Sequence, residues 1–121
     1  MKLRIKGNSI RYRLSKTDVN TIAADGYLEE NTNFGSAVFC YALQVADTVE
    51  LSIDLGSNKM TMQVPAAFVQ HWPQNDVVGC DAYMPLNNGE KLYLLLEKDF
   101  VCLDETVEDQ SDNFDNPHKT C

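Results

Sequence analysis

Two stretches of this chain run through the same order of elements, and that duplication constrains the fold more than any other feature. Ile10 to Glu30 reads as strand, Ser15, helix, Gly26, strand; Lys59 to Ala82 reads as strand, Pro65, helix, Gln74-Asn75, strand. Leu14 aligns with Val64, Ser15 with Pro65, Val19 with Val69 and Ile22 with Trp72. Identity is low, so the match is one of pattern. It predicts a pseudo-two-fold arrangement of mostly antiparallel strands flanked by two short helices. The fold class expected is α+β: a curved, mostly antiparallel sheet or partial β-barrel of about seven to eight strands with two short helices.

The element reading rests on hydrophobic period. Lys2 to Lys6 alternates charged and apolar residues, Gly7-Asn8 breaks the run, and Ile10 to Leu14 resumes it. Ile10, Tyr12 and Leu14 then share one face and Arg11 and Arg13 the other, in a hairpin or a kinked strand. Ser15 followed by Asp18 makes a capping box for a helix from Lys16 to Ala24, which Gly26 stops. Strands follow at Tyr27 to Asn33 and at Ala37 to Ala46, the second apolar enough for burial on both faces. Thr48 to Leu55 and Lys59 to Val64 flank a Gly56-Ser57-Asn58 turn, Pro65 opens a second helix toward Trp72, and Pro73 ends it. Val77 to Met84 and Glu90 to Lys98 are joined by the Asn88-Gly89 hairpin signal.

At 121 residues the chain is expected to form one globular domain over 1–103, followed by an acidic, extended or disordered tail over 104–121 that contains Asn116-Pro117. The net charge of −8 argues against coating nucleic acid or an anionic membrane. Its distribution says more. Residues 1–16 carry +6, residues 17–103 carry −9 and residues 104–121 carry −5. The ends are electrostatic opposites and are candidates to bind each other. No apolar stretch of signal-peptide type follows the charged start, and no run of about 18 apolar residues offers a membrane span. With no CxxC pair among Cys40, Cys80, Cys102 and Cys121, reduced thiols in a cytoplasmic protein are expected, Cys40 and Cys80 as small core residues.

The candidate ligand-binding residues are Lys2, Arg4, Lys6, Arg11 and Arg13. On one face of adjacent strands these five cations repel unless anions lie nearby, and arginine forks suit phosphate or carboxylate. Two readings stay open: a solvated face paired with Glu50, Asp54, Glu97 or the tail, or a ligand site. Catalytic residues are not identified. His71, beside Trp72, reads as a partly buried surface residue, and no nucleophile signature or phosphate loop is present. No metal site is assigned: Asp109 to Asp115 lacks the EF-hand glycine and ligand order, and Cys102, His118 and Cys121, which could bind zinc with a fourth ligand from His71, Cys80 or a carboxylate, match no standard finger spacing and stay open. No cofactor is expected.

The start KLRIKGNSIRYRL (Lys2 to Leu14) and the stretch EKDFVCLD (Glu97 to Asp104), followed by the acidic segment, resemble a family of small uncharacterised bacterial proteins, a domain of unknown function. Two distant resemblances suggest functions. Duplicated β-barrels of the CYTH triphosphate-tunnel type line a lumen with basic and acidic residues, roles that the resemblance gives to Arg11, Arg13, Glu50, Asp54 and Glu97. Swapped-hairpin DNA-binding regulators carry a Gly-Asn-Ser before an arginine-bearing strand, matched by Gly7, Asn8, Ser9 and Arg13.

The expected function is non-enzymatic binding of an anionic small molecule or an acidic protein segment. A metal-dependent phosphohydrolase and a DNA-binding regulator are the alternatives, although nucleic acid fits the charge poorly. The sequence leaves the oligomeric state open.

Overall fold

The computed structural model describes residues 1–100. It is α+β, with strands β1 (Lys2–Lys6), β2 (Ser9–Leu14), β3 (Tyr27–Asn33), β4 (Val38–Ala46), β5 (Ser52–Gly56), β6 (Lys59–Pro65), β7 (Gly79–Pro85) and β8 (Lys91–Lys98). Two short helices, α1 (Lys16–Asp25) and α2 (Ala66–Val69), and a 3-10 turn (Trp72–Gln74) complete it. The strands form two four-stranded sheets, ordered β1-β2-β8-β7 and β3-β4-β6-β5, and no barrel closes among the described residues. Four pairings are antiparallel, while the central ones, β2 with β8 and β4 with β6, are parallel.

The duplication is carried into the pairing itself. Lys2 pairs with Arg13 in the first hairpin and Ser52 with Gln63 in the second, so equivalent positions there differ by 50. Ser9 pairs with Tyr93, and its counterpart Lys59 pairs with Cys40. Even single bonds repeat. Tyr93 N–H donates to the Asn8 carbonyl (3.1 Å) as Cys40 N–H donates to that of Asn58 (2.9 Å). The pseudo-two-fold exchanges one sheet for the other, and each helix is the crossover between them.

Local chemistry explains the elements. The Ser15 hydroxyl accepts from Asp18 N–H (3.1 Å) and the Asp18 carboxylate accepts from Ser15 N–H (3.0 Å), completing the capping box of α1. Gly26 ends the helix at φ 76° and donates to the Ile22 carbonyl. At the second hairpin Ser57 and Asn58 both take positive φ, the geometry a two-residue turn needs to match strand twist.

The core lies between the sheets. Tyr12 and Leu14 of β2, Leu94 and Leu96 of β8, Met62 and Val64 of β6 and Leu43 of β4 are fully buried, with Val19, Ile22, Val69 and Trp72 closing it from the helical segments. The Tyr12 hydroxyl donates to the Met60 carbonyl (3.2 Å), tying the two sheets through the interior. Burial pushes that hydroxyl far above its ordinary range. At one sheet junction the Met1 ammonium meets Asp18 (2.8 Å) and Glu30 (3.0 Å); at the other, Ile53 N–H approaches Met84 Sδ at 3.4 Å.

Several element readings are corrected. The β4 strand is not buried along the whole of both faces: Ala42 and Leu43 are fully buried, but Val38 and Gln44, which share the outer face with Ala42, are exposed. Cys40 pairs with Lys59 on that outer face, so of the two described cysteines Cys80 is the one that packs against the core. Residues 48–51 precede β5, which starts at Ser52. Pro73 lies within the 3-10 turn, near its favoured first position, and His71 is exposed. No helix among the described residues is long and apolar enough to cross a membrane. The tail reading, 104–121, lies outside the described residues.

Candidate basic site on the first sheet

Because Ile10, Tyr12 and Leu14 point inward, Arg11 and Arg13 must point outward, and register carries that choice across the sheet. Lys2 lies opposite Arg13, Arg4 opposite Arg11, and Lys6 opposite Ser9. The sheet brings all five cations together on one outer face. Across β8 and β7 the same rows continue as Glu97 and Gly79, Leu95 and Asp81, and Tyr93 and Tyr83. The face thus grades from cations on β1 and β2 to carboxylates and phenol rings on β8 and β7.

Its charges are partly paired. Arg13 Nε donates to Glu97 Oε1 at 3.0 Å, Arg11 Nε lies 3.5 Å from the same oxygen, and Lys2 Nζ sits 2.8 Å from Asp99. One carboxylate therefore serves two guanidiniums. Among the described residues, Glu97, Asp81 and the flanking Asp99 are the acids set on or beside the five cations of this face. Toward the β1–β2 turn a hollow of about 230 Å³ opens, lined by Arg4, Lys6, Ser9, Arg11, Tyr93 and Leu95. The Tyr93 hydroxyl donates to Asp81 Oδ2 (2.8 Å); burial and then this bond push it up to about 12, against the opposing pull of Arg11.

Pseudo-symmetry supplies an internal control. The positions equivalent to Lys2, Arg4, Lys6, Arg11 and Arg13 are Ser52, Asp54, Gly56, Thr61 and Gln63. None is a cation. The fold forms the same hairpin without them, so strand pairing does not require the basic cluster.

The tunnel set is not brought together. Arg11, Arg13 and Glu97 share the outer face, but Asp54 lies on β5 of the other sheet, Glu50 precedes that strand, and the interior between the sheets is apolar. Gly7-Asn8 forms the β1–β2 turn, with Gly7 at φ 53°. Among the described residues no group of three or more His, Cys, Asp or Glu could hold a metal. Cys102, His118 and Cys121, and any docking of the acidic tail on the basic strands, lie outside the described residues. Sequence reasoning missed Tyr83 and Tyr93. The signal was present, since both flank the Asn88-Gly89 turn at positions of outward parity.

The chain matches no curated protein and no solved structure. It belongs to a family of unknown function (DUF7009), whose sequence model matches residues 1–118.

Proposed function

We propose that this family member is a non-enzymatic binding domain for an anionic ligand, taken on the outer face of the first sheet by Arg4, Lys6 and Arg11 with Lys2 and Arg13 beside them. One observation carries the reading: a hollow lined by three cations exists on the first sheet, while the positions equivalent to the five cations on the second sheet hold no cation. Like charges on neighbouring strands repel, and an anion bound among them relieves that repulsion. Arginine forks favour phosphate or carboxylate oxygens. The outward direction of Arg11 and Arg13 supports this surface reading over a phosphohydrolase tunnel, and the acids on the same face weigh against DNA. A reducing, cytoplasmic setting in a bacterial cell fits the same reading, with Cys40 and Cys80 as free thiols.

Thermal unfolding of the full chain with pyrophosphate tests it. Ligand at about ten times Kd stabilises by about 1.4 kcal/mol, a rise of several degrees for a domain of this size. Arg4→Ala with Arg11→Ala should remove the rise. No shift in the unmodified chain, or an equal shift in the variant, contradicts the proposal.

A further inference from the structure

We infer that the ligand of this face carries a flat aromatic ring beside its anionic group, as a nucleoside monophosphate does; the inference rests on the anion-binding reading and specifies its ligand class. The hollow does not end in cations. Its wall is Tyr93, directly opposite Tyr83 across β7–β8, with ring centroids 4.9 Å apart and tilted by 44°. Lys6, Ser9, Tyr93 and Tyr83 form one continuous row, and adjacent strands are about 5 Å apart, so the rings begin one strand from Arg11 and Ser9.

The two rings have different roles. Tyr93 is held by its bond to Asp81 and by its neighbour, which fixes the wall. Tyr83 is 65% exposed, an aromatic surface left open beside a charged hollow. Base stacking on such a ring tolerates any base and adds affinity that an anion alone does not. Placing a phosphate among Arg4, Lys6 and Arg11 leaves the rest of a mononucleotide to extend along the row toward the tyrosines. A long polyanion fits less well, because Glu97 and Asp81 lie in the next rows and the whole chain is −8. At the equivalent positions on the second sheet Tyr93 and Tyr83 become Cys40 and Asn31, so the rings, like the cations, belong to one face.

Calorimetry on the full chain with inorganic phosphate, ribose 5-phosphate and adenosine monophosphate separates the two claims. The ring contribution predicts that the nucleotide binds about tenfold tighter than ribose 5-phosphate. Tyr83→Ala should erase that gap without weakening ribose 5-phosphate, and Tyr83→Phe should keep it. Equal affinity for the two esters in the unmodified chain overturns the ring inference and leaves the anion reading standing. Binding by none of the three overturns both. A gap that survives Tyr83→Ala also overturns the assignment to this ring.

Discussion

Arg13 donates to Glu97 at 3.0 Å across the parallel junction of the first sheet, and the pseudo-equivalent pair in the second sheet is Gln63 and Gln44. One fold thus accepts an ion pair or two amides in the same register. A structural pair would be hard to replace; this one has a neutral counterpart in the same molecule. The ion pair instead sets how much positive charge the face offers.

Glu97→Gln should therefore change stability by no more than about 1 kcal/mol, because the arginine is part-exposed and such pairs contribute little. It should tighten pyrophosphate binding by roughly tenfold, about 1.4 kcal/mol, by releasing Arg11 and Arg13 together. Chemical denaturation and calorimetry on the same variant check the two halves. Unchanged affinity would mean that Glu97 does not hold the arginines back.

The close approach at Gly79 gives a sharper structural expectation. A Cβ there would overlap the Leu96 carbonyl oxygen and come within 2.8 Å of Glu97 Cα, so β7 can lie against β8 only with glycine at this position. Gly79→Ala should cost about 2 kcal/mol or more and shift the amide resonances of Leu96 and Glu97. Wild-type stability would show that the strands part at no cost.

Interior and caps set the scale for comparison. Tyr12→Phe removes the bond to Met60 between the sheets and should cost about 1–2 kcal/mol, while Ser15→Ala at the cap should cost about 1 kcal/mol. Ile22→Ala should cost about 2–5 kcal/mol by opening a cavity under α1. Urea midpoints in the opposite order would contradict the burial described.

Much of this was legible in the sequence because its cues are local. Ser15, Asp18 and Gly26 mark a helix within a dozen residues, and alternation through Ile10, Tyr12 and Leu14 assigns the faces. The duplication was readable from Leu14 and Val64, Val19 and Val69, and Ile22 and Trp72, since burial demands apolar residues at the same points of both halves. What did not show was the exchange of strands between halves. Ser9 pairs with Tyr93 and Cys40 with Lys59 with no turn between them to signal it, and parallel register is set by packing across the whole core. Without that exchange the five cations and the outward parity of Tyr83 and Tyr93 can each be read from the sequence, but not that they share one face.

Alkaline pH offers an independent check on the site. Tyr93 titrates at about 12 against an ordinary 10.0, from burial first and the Asp81 bond second. A raised folded value means its contribution is fully present below pH 10.0 and is lost as pH rises toward 12. Asp81→Asn should lower the Tyr93 value, read from the tyrosinate absorbance. An unmoved titration would leave burial as its sole cause.

The central claim concerns one face of one sheet, and calorimetric titration with pyrophosphate tests it most directly. The unmodified chain should bind at 1:1, with affinity that falls as salt rises. Arg4→Ala plus Arg11→Ala should weaken binding at least tenfold, whereas Lys59→Ala on the second sheet should leave it unchanged. Equal loss from both variants, or binding indifferent to the arginine pair, would contradict the account.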